Sequence, residues 1–468
     1  MLARDELWSA ELTDLAPLVR TGAVTSLALT ELMIERIARF DGALHSYVAL
    51  VPERALTEAA RADAEIASGH WRGPLHGIPM AVKDVFYTTD IETRFGASIY
   101  ADFEAPHEST ATARLRAAGA IMLGKLTATE GVYAGYHPDI TEPINPFGDD
   151  HWTGNSSSGS GVAVTAGLAY ATLGTDTGGS IRLPSACCGL TGIKPTWGRV
   201  SRHGVFPLAE SLDHVGPMAR SAKDAAALLA VIAGADPDDP TASPQPVPDY
   251  LASIGEGIAG LTIGIDRAFI AAKATAEVVA SIEAVVPVLE QLGARFVDVV
   301  FPETRPILYG WHTECSVEAA LAHRDTFPSR RADYGERLTA LLDHGRSVTA
   351  FELAEAQRAR RAFNGQVASM FAPIDLFLVP ALPVAGPTLS HMATLGPDPD
   401  GILAVGPFNA PFDVCGYPTI TVPCGASTRG IPVAFQLAGK PFTEALLCRA
   451  AHAYQGVTEW HRRRPQLT

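Results

Sequence analysis

Lysine is scarce in this chain: six residues (83, 125, 194, 223, 273 and 440) stand against 30 arginines among 468 positions. Lysine is therefore not the general surface cation here, and one placed inside an apolar segment calls for a specific reason. Basic runs are missing as well. The densest is Arg462-Arg463-Arg464, and the formal net charge is −15. Without a cationic stripe the chain is a poor candidate for binding nucleic acid. The longest apolar runs, 162–174 and 225–235, are too short to cross a bilayer, so no membrane partner is expected. Cysteine occurs at six positions (187, 188, 315, 415, 424 and 448) whose spacing fits neither a zinc site nor a small disulfide scaffold. The opening residues carry Arg4, Asp5 and Glu6, and no apolar stretch with a small-residue cleavage site follows. Reduced thiols in a cytoplasmic protein are the expectation. No internal repeat is present, which argues against a solenoid.

What is present is ample material for a large core, with 47% hydrophobic and 19% charged residues. Apolar residues recur at helical spacing through Leu29, Leu32, Met33, Ile37 and Phe40, with Thr25 or Ser26 as N-cap. Further helices are expected over 53–68, 109–118, 276–292 and 357–371. Short buried strands are expected within 77–86, 120–124, 261–265 and 376–379. Alternation of this kind argues for an α/β fold whose sheet is covered on both faces. The Pro/Asp-rich stretch 236–249 is the best linker candidate. One large domain, 1–468, with strands drawn from both ends of the chain is favoured.

Two turns rich in Gly and Ser lie close together, Gly154-Asn-Ser-Ser-Ser-Gly-Ser160 and Gly174-Thr-Asp-Thr-Gly-Gly-Ser180-Ile-Arg182. Gly and Ser often do no more than make turns. Here, though, the apolar segment 162–173 joins the two, and it reads as a core helix rather than a flexible connection. Gly178-Gly179 lets backbone N–H groups approach a reacting atom, as an oxyanion hole requires. A serine nucleophile needs a base. Neither turn carries the Gly-x-Ser-x-Gly elbow that accompanies histidine-based hydrolases, and no lysine follows a serine at Ser-x-x-Lys spacing. A neutral lysine serves as base if burial lowers its pKa. Lys83, after the apolar Pro79-Met-Ala-Val82, is the candidate; a structural ion pair with Asp84 or another carboxylate is an equal alternative at this point.

These segments carry a resemblance. Gly77-Ile-Pro-Met-Ala-Val-Lys83-Asp84 and the two serine turns resemble the three signature blocks of the amidase-signature family, with Ser156 and Ser180 the expected 24 residues apart. The segment 192–201, Leu212-Asp213-x-x-Gly-Pro217, Pro418-x-Ile-x-Val-Pro423 and Pro432-Val-Ala-Phe-Gln436 resemble later family blocks, so the likeness runs nearly end to end. It implies a large twisted mixed β-sheet wrapped by helices, with core motifs over 70–220 and a variable substrate-pocket region over 300–410. It also implies roles. Lys83 is the neutral base and Ser156 the relay, held by a cis peptide after Asn155; a non-proline cis bond costs on the order of 3 kcal/mol. Ser180 is the nucleophile. Backbone N–H groups of Thr177, Gly178, Gly179 and Ser180 form the oxyanion hole, Ser157 supports the lysine, and Asp176 pairs with Arg182 behind the turn. Asn155 departs from the glycine usual in the family.

The expected reaction is hydrolysis of a neutral amide, anilide or carbamate through an acyl-enzyme, with no metal and no organic cofactor. Tyr133, Tyr136, His137 and Trp311 are candidates for the substrate pocket. Cys187-Cys188 and His203 read as packing residues. The partner is a small-molecule amide or carbamate, and a homodimer is open. The alternatives are the glutamine-hydrolysing component of a tRNA amidotransferase and a non-catalytic scaffold. The segment 450–465 resembles the stand-alone bacterial amidases more than that component.

Overall fold

A computed structural model describes residues 4–395 and 399–467. Eleven strands form one sheet: β1 (Tyr47–Leu50), β2 (Pro79–Lys83), β3 (Ile121–Leu126), β4 (Ala171–Asp176), β5 (Thr191–Lys194), β6 (His214–Ala219), β7 (Thr262–Ile265), β8 (Arg295–Asp298), β9 (Leu376–Pro380), β10 (Thr419–Ala426) and β11 (Pro432–Gly439). Their order is β1-β3-β2-β4-β6-β5-β10-β11-β9-β7-β8. The pairs β2–β3, β2–β4, β7–β8 and β7–β9 are parallel and the rest antiparallel, so the sheet is mixed and flanked by helices, as expected. Strands from the first half of the chain occupy one side and those from the second half the other. They meet where Ile193 of β5 pairs with Ile420 of β10.

The central strands are buried on both faces, which explains why Pro79-Met-Ala-Val82 carries no alternation. Thr25 caps the helix Ser26–Leu44, accepting a hydrogen bond from the Ala28 N–H at 3.1 Å. Three expectations change. The segment 162–173 is not one helix: a helix runs Ser158–Ala166, Gly167 ends it in the left-handed region (φ 70°), and β4 follows. Both pieces are wholly buried, so no polar face marks the switch of period. The helix expected from 357 begins at Ala350, where Thr349 and Glu352 form a reciprocal capping box. The stretch 236–249 is pinned rather than free: Asp236 accepts from Thr110 and Ser201, and Asp239 accepts the Arg202 N–H at 2.8 Å. Among the described residues no helix is long and apolar enough to cross a membrane.

The helices Arg305–Ala322 and Glu336–Ser347 pack at Gly345, where a Cβ would lie 1.9 Å from the Ser316 carbonyl oxygen. Gly345→Ala should therefore destabilise the fold by about 1–3 kcal/mol through overpacking. Gly365 lies in the helix Ala350–Phe371 with nothing within 4 Å of a Cβ, so Gly365→Ala should stabilise by about 0.5–1 kcal/mol. Urea midpoints of the two variants test the contrast.

Candidate active site

Lys83 ends β2 and is fully buried. Its Nζ lies 2.6 Å from Ser156 Oγ and donates to Thr175 Oγ1 at 2.7 Å. The alternative pair with Asp84 is not formed. Successive strand residues face opposite ways, and the Asp84 carboxylate meets Lys125 Nζ instead, at 3.5 Å. Burial pulls the Lys83 pKa down to about 7, against an upward pull from the Asp176 and Asp213 carboxylates. Ser157 does not support the lysine as expected. Its hydroxyl donates to the Thr175 carbonyl at 3.3 Å and so holds the backbone of β4, while the Thr175 side chain takes the place beside Lys83. Thr175 follows Gly174 on a strand parallel to β2, and only the register of that pairing brings it to the lysine.

The peptide expected to be cis after Asn155 is trans; the one cis bond among the described residues is Phe327–Pro328. Ser156 reaches Lys83 from a trans backbone, so no contact demands the cost of a non-proline cis bond. Ser180 is 7% exposed and lines the cavity described below. Its hydroxyl makes no hydrogen bond among the described residues.

Asp176 organises the turn that carries Ser180. Its carboxylate accepts the N–H groups of Gly179 (2.6 Å) and Ile181 (3.0 Å). It also takes two bonds from Arg182, Nε at 2.9 Å and Nη2 at 2.8 Å. Burial alone would raise the Asp176 pKa, but the Arg182 guanidinium outweighs it and holds the carboxyl below the ordinary range. Gly179 therefore leaves the expected set of oxyanion donors, because its N–H is already engaged by Asp176. The N–H groups of Thr177, Gly178 and Ser180 meet no acceptor among the described residues. Arg182 also reaches the Asn409 carbonyl at 2.9 Å and the Asp413 carboxyl, which ties the turn to the second half of the chain.

A cavity of about 540 Å³ opens in front of the turn. Thr177, Gly178 and Ser180 line it, together with Tyr133, Tyr136, His137 and Trp311, so all four pocket candidates reach it. The Tyr136 hydroxyl donates to Ser158 Oγ at 2.7 Å, and the Trp311 indole donates to the Thr177 carbonyl at 2.7 Å. Apolar walls come from Ile140, Leu183, Leu208, Leu389 and Met392. Two charged groups in the lining, Glu142 and Arg337, carry no motif that would mark them in the sequence. Cys187 and Cys188 are buried with raised pKa values, as inert core thiols are. His203 stacks on His107 at 4.1 Å. Among the described residues no group of three or more His, Cys, Asp or Glu is placed to hold a metal ion.

The family model described as Amidase matches residues 28–448. The chain belongs to the amidase-signature family. It is an amidase-family hydrolase of amide C–N bonds. Among its relatives, Putative amidase AmiD of Mycobacterium tuberculosis is 46% identical over all of this chain and 98% of that protein. A glutamyl-tRNA(Gln) amidotransferase component of Trichlorobacter lovleyi is 36% identical over 99% of this chain and 100% of that one. The solved structure of the peptide amidase from Stenotrophomonas maltophilia superposes with a TM-score of 0.84 at 30% identity, covering 98% of each chain.

The amidase's Lys83 is half neutral near pH 7. A step that needs its free amine gains rate as pH rises through about 7 and levels off above, because the base is the deprotonated form. A plot of kcat/KM against pH checks this. Lys83→Arg should be nearly as inactive as Lys83→Ala, since a guanidinium keeps its proton; an active arginine variant would mean that only the charge matters.

Proposed function

We propose that this amidase cleaves its substrate with Ser180 as nucleophile, Ser156 as relay and Lys83 as neutral base. The observation that carries the reading is a buried lysine of lowered pKa whose Nζ lies 2.6 Å from Ser156 Oγ. Lys83 keeps one N–H on Thr175 and turns its lone pair to the Ser156 hydroxyl. Lys83 takes the Ser156 proton as Ser156 takes the Ser180 proton, and Ser180 Oγ attacks the amide carbonyl carbon. The negative oxygen of the tetrahedral intermediate is met by N–H groups of Thr177 and Gly178. Ser156 then hands a proton to the departing nitrogen, the C–N bond breaks, and an acyl-serine remains. Water, deprotonated by the same relay, adds to the acyl carbon and releases the acid.

The apolar walls and the rings of Tyr133, Tyr136 and Trp311 favour an aryl or other apolar group on the amide or carbamate. A second reading has one specific observation behind it. Glu142 and Arg337 line the same cavity, and no ion pair joins either to another described residue. Such groups suit the α-amino and α-carboxylate groups of an amino-acid amide such as glutamine.

Ser180→Ala should fold normally and lose roughly 10⁴-fold or more in kcat, and a fluorophosphonate should label Ser180 by mass spectrometry. A label elsewhere sinks the assignment. The purified chain, alone, should show a higher kcat/KM for an aryl amide or aryl carbamate than for glutamine, and Arg337→Ala should leave the aryl rate within about threefold. Dominant glutaminase activity whose KM rises in Arg337→Ala would establish the second reading instead.

A further inference from the structure

We propose that Asp213 is a positioning residue of the oxyanion turn: its carboxylate holds the Thr177 side chain while Trp311 holds the Thr177 carbonyl, which leaves the Thr177 N–H free for the substrate's carbonyl oxygen. The proposal rests on the reading that Ser180 attacks that carbonyl.

Thr177 is gripped at two of its three polar groups. Its hydroxyl donates to Asp213 Oδ1 at 2.5 Å, and its carbonyl accepts from Trp311 Nε1 at 2.7 Å. The third group, the N–H, meets no acceptor among the described residues, and Thr177 lines the cavity together with Ser180. With the side chain and the carbonyl both pinned, the peptide plane ahead of Thr177 has little room to rotate. An oxyanion donor must be set before charge develops if it is to act without reorganisation. A hydrogen bond from a hydroxyl to a carboxylate is among the shorter and stronger kinds.

Asp213 is itself held. It accepts the Leu208 N–H at 3.0 Å and the Ala209 N–H at 3.1 Å. Sheet register puts it in place: β6 starts at His214, opposite Asp176 of β4, so the residue before β6 faces the residue after β4. Trp311 is held as firmly. A Cβ on Gly178 would lie 2.7 Å from its ring, so glycine there seats the indole against the turn. The two clamps share one anchor. Ser211, two residues before Asp213, donates to Glu318 at 2.6 Å, and its carbonyl accepts from Arg360 at 2.8 Å. Arg360 in turn meets Glu314 at 2.7 Å, and both acids lie on the helix Arg305–Ala322 that carries Trp311.

The other side of Asp213 opens on a second cavity of about 320 Å³, lined also by Thr175, Arg202, Glu210 and His214. Leu208 and Val132 border both cavities. Loss of the carboxylate there leaves polar space that water can enter rather than a dry void in the core. Asp213 touches no reacting atom; it acts through the Thr177 hydrogen bond and, at longer range, through its upward pull on the Lys83 pKa, so the variants are compared on the alkaline plateau of the pH profile.

The test compares Asp213→Ala, Thr177→Val, Thr177→Ser and the double variant Asp213→Ala/Thr177→Val. Melting curves establish folding, and Ser180→Ala serves as the reference. Asp213→Ala should lower kcat about 100-fold, the scale of a catalytic group misplaced by about 1 Å, with KM within about threefold. Affinity for an aryl trifluoromethyl ketone, which forms a tetrahedral adduct, should fall by a similar factor. Thr177→Ser keeps the hydroxyl and should recover most of the kcat that Thr177→Val loses, being about tenfold or more faster than the valine variant. The double variant should be no slower than the slower single one, because both changes break the same bond. If Asp213→Ala does not fold, Thr177→Val removes the same hydrogen bond and decides alone. A folded Asp213→Ala or Thr177→Val with parental kcat, a loss confined to KM, or effects that multiply in the double variant would overturn the proposal. If Ser180→Ala stays active, the nucleophile reading fails first; if only the Asp213 and Thr177 variants are normal, the positioning role fails by itself.

Discussion

A buried carboxylate facing a buried guanidinium sets the shape on which the site depends. Asp176 and Arg182 are both fully shielded from water, and each has its remaining hydrogen-bonding capacity met. Charges so placed are tolerated only when paired, and removal of one partner typically costs about 3–5 kcal/mol. The pair does more than satisfy itself. Because Asp176 also takes the Gly179 and Ile181 N–H groups, the chain must curl around it, and Ser180 is carried on the outside of that curl. Arg182 donates from Nη1 to the Asn409 carbonyl and shares Nη2 between Asp176 and Asp413, which ties the turn to the second half of the chain. Burial pushes the Asp413 carboxyl well up, while the Arg182 guanidinium holds the Asp176 carboxyl below the ordinary range.

Burial acts on lysine in the opposite sense. Three of the six lysines, Lys83, Lys125 and Lys194, are fully buried, and burial lowers all three. Desolvation alone therefore does not select the base; the immediate partners do. Lys125 meets the Thr93 and Thr88 hydroxyls but also the Asp84 carboxylate and the Phe86 carbonyl, and Lys194 faces the Pro195 carbonyl; carboxylate and carbonyl oxygens are acceptors that hold an ammonium in place. Lys83 faces two hydroxyls, Ser156 and Thr175. Hydroxyls can give as well as take a proton, and the absence of a carboxylate or carbonyl among its hydrogen-bond partners in the described residues supports the proposal that this lysine is the base.

Much of the fold is legible in the chain because its signals are local. Thr25 caps the helix it is expected to cap, and the apolar runs around Met80, Met122 and Leu378 form strands. Where structure and expectation part, the local signal is missing or slight. Residues 158–176 are buried on every side, so helix and strand look alike there until Gly167 breaks the run. At Thr349 and Glu352 the signal is two side chains only, a capping box ahead of the apolar spacing that suggests a later start.

The sequence by itself determined the α/β class and the family likeness, and it singled out Lys83, Ser156, Ser180, Asp176 and Arg182 as candidates, because these sit in short blocks whose spacing the backbone cannot alter. Only the tertiary structure decided what stands between the blocks. Thr175 rather than Ser157 lies beside the lysine, Gly179 gives its N–H to Asp176, and Asp213 faces Thr177. Glu142 and Arg337, far apart in the chain, enter one cavity. Apart from the Gly179–Asp176 bond, which is local to the turn, each of these depends on strand register or on the packing of distant segments. Such relations bring residues from remote parts of the chain within hydrogen-bond distance, and no pattern along the chain encodes them.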